Sequence, residues 1–523
     1  MLNLASCNGL WILGAIAWLS TALILRYQEV PDFFGVPFGG IKRQSDLPFL
    51  LYAAMAIFHT FALERVSLFV SAQTFFMETL RCGFPISPPY RAPMKNKNKA
   101  FSKVAVVIIS VVATVLLCLV IINFAGGEQK MVRQVQRLYS VSDPEFQRNM
   151  GLMLGPQIVG GNKIDVLLNG DQIFPSMLKA IRAAQKTINF ETYIYWSEEI
   201  GNEFALALAE RARAGVAVHL LVDAVGSSKL DAAQMKTMES AGVVIRKYRP
   251  LRWYTLARLN NRTHRKLLVI DGKVGFTGGV GIAGQWTGHA QDPSHWRDSH
   301  FRIEGPVVAQ MQSVLIDNWT KTTGTVVHGE NYFPPLTAVG DKSAQVFSSS
   351  PTGGSESMAL MYLLSITAAR TSIDLSASYF VPDTLTEDAL RAALLRGVKV
   401  RIITPGTNMD AEVVRLASRG NWGPLLKAGA LMYEYQPTMY HTKTMIVDGL
   451  LVSVGSTNFD TRSFKLNDEA NLNVFDSSFA RELTTVFEND LRNSKRVSLA
   501  QWENRPWTNQ AIEFLAGRFG AFL

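Results

Sequence analysis

The sequence predicts an α/β protein made of two similar halves behind an N-terminal membrane region. Three features predict it. A helix, a short turn and an alternating apolar strand occur as SMLKAIRAAQKTINFETYIYW (176–196) and again as SMALMYLLSITAARTSIDLSASYF (357–380). The register His-x-Lys-x4-Asp occurs as His264, Lys266 and Asp271 and again as His441, Lys443 and Asp448, with Gly278 and Gly455 equally far beyond the aspartates. One copy of such a pattern is weak, but two with the same downstream spacing are hard to assign to chance. Finally, VAVVIISVVATVLLCLVIINF (104–124) is long and apolar enough to span a bilayer as a helix.

With 523 residues the chain has room for two packed domains and something more. We divide it into a membrane region (1–125) with two or three hydrophobic helices, a connector (126–164), a first half (165–345) and a second half (346–523). Gly9 to Leu25 is a further apolar segment, whereas Pro48 to Leu63 is shorter and holds His59. It reads as a third span, a re-entrant segment or an amphipathic helix. The first residues lack a basic leader and a cleavage site, which predicts an uncleaved anchor. Leu4-Ala5-Ser6-Cys7 faintly resembles a lipoprotein box, yet almost no apolar helix precedes it. Arg81, Arg91, Lys95, Lys97, Lys99 and Lys103, against Glu78 alone, mark a cytoplasmic loop. A multi-pass protein of the cell (inner) membrane is expected, with the residues after 125 on the non-cytoplasmic side.

The connector carries Asp143-Pro144 and Gly160-Gly161 as breakers. Each half then continues with an alanine-rich helix, a turn and a strand, ALALAERARAGVAVHLLVD (205–223) and ALRAALLRGVKVRIITPG (389–406), whose helices end at Gly215 and Gly397 as C-terminal caps. Such alternation predicts a largely buried sheet covered by helices. The histidine stretches read as hairpins, LLVID-G-KVGFTGG and TMIVD-G-LLVSVGS, turning at Asp-Gly. Strand side chains alternate between faces, so a His and a Lys two apart share one face.

Cys7, Cys82 and Cys118 all lie in the N-terminal region, which excludes a disulfide framework and a cysteine zinc site for the rest. The net charge is +9, and RKYRPLRWYTLARLNNRTHRK (246–266) holds eight basic residues, no acid, and Tyr248, Trp253 and Tyr254. It reads either as a solvated face or as a surface for an anionic partner, with aromatics suited to a lipid headgroup interface. A neutral imidazole can attack phosphorus, and a neighbouring lysine can neutralise the non-bridging oxygens. Two such sets suggest one bilobal site in which one histidine forms a phospho-histidine and the other moves protons. That chemistry needs neither metal nor cofactor. Glycine and serine at a strand end leave backbone amides open to phosphate, which gives Gly455, Ser456 and Asn458 a reason for their positions.

The paired H-x-K-x4-D stretches, with GSTN after the second, resemble the phospholipase D superfamily over about residues 165–523. FETYIYWSEEIGNEFALALAERARAGVAVHLLVDAVGS, HWRDSHFRIEGPVV, GSTNFDTRSFKLNDEANL and WENRPW resemble bacterial cardiolipin synthases within it. The resemblance implies two α/β/α sandwich halves with pseudo-two-fold symmetry. It also implies His264 as nucleophile, His441 as general acid/base, Lys266 and Lys443 on the phosphate, and Ser456 and Asn458 beside it. Glu469 would orient His264 and Asp298 would orient His441, since a carboxylate fixes the ring tautomer. Asp271 and Asp448 belong to the motif but sit at hairpin turns and read as mainly structural. The first half departs from the family where Gly278-Gly279-Val280-Gly281 lacks an amide side chain; either Gln285 substitutes or the second half dominates phosphate binding.

Other patterns have plainer readings. Gly279-Val280-Gly281-Ile282-Ala283-Gly284 spells a dinucleotide fingerprint but closes a hairpin rather than opening a βαβ unit. His289, His295 and His300 near Asp292 are spaced irregularly for metal binding and read as a polar loop. Glu191 either orients the site or supports the hairpin. The expected function is a cardiolipin synthase-type phosphatidyltransferase acting on phosphatidylglycerol or another anionic phospholipid at the membrane. Hydrolysis by a membrane-anchored phospholipase D is the alternative. Nuclease or phosphodiesterase action on nucleic acid is weaker, as is a non-catalytic scaffold.

Overall fold

The computed structural model describes residues 111–116, 134–250, 261–350 and 357–519. The expected membrane region lies outside them except for 111–116, which are helical, and among the described residues no helix is long and apolar enough to cross a membrane. The first half contributes β1 (Val159–Leu168), β2 (Thr187–Thr192), β3 (Ala217–Asp223), β4 (Val244–Tyr248), β5 (Arg262–Thr263), β6 (Leu267–Ile270), β7 (Val274–Gly278) and β8 (Ser299–Glu304). The second contributes β9 (Lys342–Ser349), β10 (Ser372–Ala377), β11 (Phe380–Val381), β12 (Lys399–Pro405), β13 (Leu431–Tyr435), β14 (Lys443–Val447), β15 (Leu451–Gly455), β16 (Phe459–Asp460), β17 (Asn467–Phe475) and β18 (Ser494–Val497).

These strands build one 16-stranded mixed sheet, ordered β18-β13-β12-β10-β14-β15-β17-β9-β1-β8-β7-β6-β2-β3-β4, with β5 attached to β17 and a separate β11–β16 pair. Outward from the antiparallel β1–β9 contact the order repeats: β1, β8, β7, β6, β2, β3, β4 one way and β9, β17, β15, β14, β10, β12, β13 the other. The parallel runs β2–β3–β4 and β10–β12–β13 require crossovers, and helices Glu199–Arg213 and Thr384–Leu395 provide the first of each. Gly215 and Gly397 take φ +88° and +90° just beyond those helices, as their capping role requires.

Side-chain alternation places helices on both faces. Leu268 and Ile270 of β6 pack with Phe174 and Phe204 from helices Asn169–Ala183 and Glu199–Arg213. Leu267 and Val269 point the other way, joining Met311 and Leu315 of helix Val308–Thr323. In β14, Met445 and Val447 join the second-half core and Ile446 the opposite cluster with Phe479. The latter cluster draws on both halves, so the two are welded through a shared core rather than tethered.

The stretch read as a connector is structural. Pro144–Leu154 forms a helix, with proline in its first turn, and Phe146 and Met150 are buried four apart against second-half residues, Phe146 edge-on to Phe475 with ring centroids 6.1 Å apart. β1 begins at Val159, within the same stretch. Charged neighbours and the Gly160-Gly161 pair mask this apolar spacing in the sequence.

Candidate active site

The hairpins behave as their Asp-Gly turns demand. Asp271 and Gly272 take φ +51° and +63°, Asp448 and Gly449 +52° and +62°. Asp271 accepts the backbone N–H groups of Gln185, Lys186 and Thr187 at 2.9, 2.7 and 2.9 Å. Asp448 does the same for Arg370, Thr371 and Ser372 at 2.8, 2.7 and 3.0 Å. Each pins the turn to the loop before β2 or β10. Five residues of extended chain separate them from Lys266 and Lys443, roughly 16 Å at about 3.3 Å per residue, so neither reaches the site.

At the other end of these strands the halves exchange residues. Leading into the first histidine, β5 pairs in parallel with β17 of the second half, and the His264 N–H donates to the Asp468 carbonyl at 2.9 Å. Reciprocally, Tyr440 bridges to Arg297 of the first half, and the His441 N–H donates to the Arg297 carbonyl at 2.8 Å. The residue after each carbonyl supplies the carboxylate. His264 Nδ1 lies 3.0 Å from both oxygens of Glu469, and His441 Nδ1 lies 2.7 Å from Asp298 Oδ2. With Nδ1–H donating to a carboxylate, Nε2 of each ring keeps its lone pair. Both rings, Lys266 and Asn458 line one cavity of about 590 Å³, together with Tyr193, Trp286, Trp296, Arg262, Arg462, Tyr379 and Asp410.

Burial pulls the His264 imidazole down to about 4, against the raising influence of Glu469, and burial with the nearby Lys443 charge lowers His441. Burial pulls Lys266 down to about 7 and Lys443 to about 8, against neighbouring carboxylates. Burial pushes Glu469 and Asp298 up, but the adjoining histidines and lysines outweigh it and hold both below the usual carboxylate range. The site therefore holds neutral imidazoles, ionised carboxylates and lysines whose charged form an entering anion would stabilise. Lys266 Nζ donates to the His264 carbonyl at 2.7 Å; Lys443 Nζ donates to the His441 carbonyl and Ser378 Oγ, both at 2.8 Å.

Ser456 differs from the phosphate-side position expected of it. Fully buried, its hydroxyl donates to Glu469 Oε2 at 2.6 Å, so it braces the carboxylate and does not face the cavity. Asn458 does face it and accepts from Ser378 Oγ at 2.8 Å. The first half solves the same problem with Trp286. Its indole N–H donates to Asp298 Oδ2 at 3.0 Å, the counterpart of the Ser456 bond. A Cβ at Gly279 would lie 2.3 Å from Asp298 Oδ1, and one at Gly281 would lie 3.0 Å from the Trp286 ring. The departure is the missing asparagine at 281, where a side chain would crowd Ile194 and the Trp286 ring. Gln285 lines the cavity, as one of the two expected solutions requires.

Sequence reasoning missed Trp286 and Trp296, whose rings lie 5.3 and 5.2 Å from that of His441, and Tyr193, 5.1 Å from His264. The TYIYW stretch carries Tyr193, HWRD carries Trp296 and GQW carries Trp286, but nothing in their spacing aims them at a histidine. The basic run splits. Residues 251–260 lie outside the described residues and Arg262 lines the cavity. Arg265, one residue out of phase with His264 and Lys266, is buried on the far face, donating to the carbonyls of Val314 at 3.0 Å and Ser349 at 3.1 Å. Tyr248 is also buried, with its hydroxyl donating to Asp468 at 3.0 Å. Glu191 supports the strand entering His264: it accepts the Thr263 hydroxyl and, at 2.7 Å, the Asn318 amide, and burial pushes it up to about 7.

The G-x-G-x-x-G stretch ends in a 3₁₀ turn, Gly284–Trp286, with no βαβ helix behind it. His295 lies 2.9 Å from Asp292 in the loop, and His300 is buried on β8. Among the described residues no group of three His, Cys, Asp or Glu side chains is placed to hold a metal.

The chain and its fold also have known relatives. A family model described as cardiolipin synthase, PLD-like domain, matches residues 177–308 and 362–491. The chain is 36% identical over 364 residues to the probable cardiolipin synthase YwiE of Bacillus subtilis, covering 69% of this chain and 72% of that one. It is 36% identical over 351 residues to the cardiolipin synthase of Geobacillus kaustophilus, covering 66% and 70%. The solved phosphatidylserine synthase of Haemophilus influenzae shares the fold at a TM-score of 0.57 and 14% identity, over 72% of this chain and 98% of that one. Fold, site and relatives define an enzyme of phosphatidyltransferase or phospholipase D-type chemistry. Within that class, the chain belongs to the family of cardiolipin synthase, PLD-like domain proteins.

Proposed function

We propose that this chain is a cardiolipin synthase-type phosphatidyltransferase working through a phosphatidyl-histidine. The observation that carries the proposal is the exchanged pair of His–carboxylate contacts on one cavity. His264 Nε2 attacks the phosphorus of one phosphatidylglycerol; the P–O bond to glycerol breaks, and His441 gives that oxygen its proton. A hydroxyl of a second phosphatidylglycerol then gives its proton to His441 and attacks phosphorus, and the P–N bond electrons return to His264. His264 suits the first role because burial keeps it neutral. An incoming phosphodiester adds negative charge beside His441 and favours its protonated form. Lys266, Lys443 and Asn458 bind the non-bridging oxygens, while Ser456 acts behind Glu469. The two halves, 165–345 and 346–523, act as one catalytic unit; residues 1–125 hold it at the cell membrane, with 104–124 spanning and the catalytic part on the non-cytoplasmic side.

Purified protein in mixed micelles with labelled phosphatidylglycerol tests the reaction. Cardiolipin with stoichiometric glycerol is expected, and His264→Ala abolishes it. Phosphatidic acid as the sole product assigns hydrolysis instead; equal turnover by His264→Ala refutes the mechanism. Reporter fusions at residues 90 and 150 test orientation, which fails if both report the same side.

A further inference from the structure

The phosphate chemistry leaves one charged group of the cavity unexplained. Asp410 is an exposed carboxylate in the turn after β12, on a cavity wall otherwise suited to anions, with Arg262, Lys266 and Arg462 among the lining residues. A carboxylate there weakens binding of any phosphodiester, so its presence calls for a ligand that donates hydrogen bonds. Asp410 Oδ2 accepts the Tyr379 hydroxyl at 2.6 Å, which orients the group, and among the described residues Asp410 joins no ion pair. Its charge acts on His441 and Lys443, placing it on the proton-transfer side of the cavity.

We propose that Asp410, oriented by Tyr379, selects acceptor alcohols carrying a second hydroxyl next to the reacting one, as a glycerol headgroup does. This rests on the transferase reading above. In the second step the reacting hydroxyl gives its proton to His441 and its oxygen bonds to phosphorus as the P–N bond to His264 breaks. The neighbouring hydroxyl stays intact and donates to Asp410. Water and simple alcohols leave that acceptor unused. Asp410 is thus a positioning residue for the acceptor and takes no proton in the reaction.

The test is competition between ethylene glycol and ethanol as soluble acceptors, using the full chain and labelled phosphatidylglycerol, with the ratio of the two phosphatidyl products as readout. One lost hydrogen bond to a charged group lowers the diol-over-ethanol ratio about 10-fold in Asp410→Asn. Tyr379→Phe, which leaves the carboxylate in place but unoriented, gives an intermediate ratio, and Asp410→Glu restores part of the preference. Equal loss of both products in Asp410→Asn, or an unchanged ratio, overturns the proposal and leaves the transferase reading intact. Failure of the unmodified chain to transfer to any alcohol refutes that reading instead. Thermal unfolding midpoints of all variants separate misfolding from altered selectivity.

Discussion

Replacing Glu469 by glutamine keeps the side chain's shape and removes its charge. The carboxylate stands 3.0 Å from His264 Nδ1 and also accepts from Ser456 Oγ at 2.6 Å and Asn467 Nδ2 at 3.2 Å, so the amide still has partners and the fold survives. What is lost is the anion beside a ring that, in the proposed mechanism, becomes positive as Nε2 bonds to phosphorus. A unit charge at about 4 Å and an effective dielectric of about 20 is worth about 4 kcal/mol, and part of that is recovered by the neutral hydrogen bond. With about 3 kcal/mol lost, the first step slows about 10²-fold. Asp298→Asn acts on His441 and therefore, in the proposed mechanism, on proton transfer. A donor with a nitrophenol leaving group needs no general acid, so Asp298→Asn should load the enzyme with label at the normal rate and then discharge it slowly. Glu469→Gln should load it slowly with either donor. Rapid quench with labelled phosphatidyl donor reads both phases. Normal loading by Glu469→Gln, or equal loss of both phases in Asp298→Asn with the nitrophenyl donor, refutes the division of labour.

Gly281→Asn forces a side chain against Trp286 and Ile194, costing about 1–3 kcal/mol of stability, and a Trp286→Ala background should reduce that cost in a double-mutant cycle. Asp448→Asn weakens charged acceptance from three backbone N–H groups, lowering stability by about 1–2 kcal/mol in denaturant titration while turnover per folded molecule holds. Burial pulls His264 and His300 down to about 4, below the roughly 6.5 of the unfolded chain, so the unfolded state binds more protons between those values. Stability should therefore fall as pH drops from about 6.5 towards 4, with a shallower slope in His300→Asn; a flat unfolding midpoint refutes this. Lys266, pulled down to about 7, loses its charge as pH rises, so kcat/KM should decline above about pH 7, and Lys266→Arg should move that limb upward.

Local pattern made the repeated units legible: the helix–strand alternation, the hairpin turns and the shared face of His and Lys all follow from periods of 3.6 and 2. The carboxylate partners were named only through family resemblance, because Asp298 is 143 residues from His441 and Glu469 is 205 from His264. No spacing rule spans such distances. Alternation alone could have removed Arg265 from the anion surface, since it is out of phase with its neighbours. Trp286 was hidden because its role depends on glycines at 279 and 281, and an absent side chain signals only when something fills its space. Helix Pro144–Leu154 was hidden because its two buried apolar side chains, Phe146 and Met150, pack on a partner far along the chain.

Because each histidine takes its carboxylate from the opposite half, a ribosome that has made only the first half has made neither His–carboxylate pair. His264 emerges long before Glu469, and until the later strand docks beside β5 its ring has neither the proton anchor nor the strand partner that aims it. Under the proposed mechanism a truncated chain would therefore lack phosphodiester chemistry, because only the closing of both halves on each other completes the two pairs.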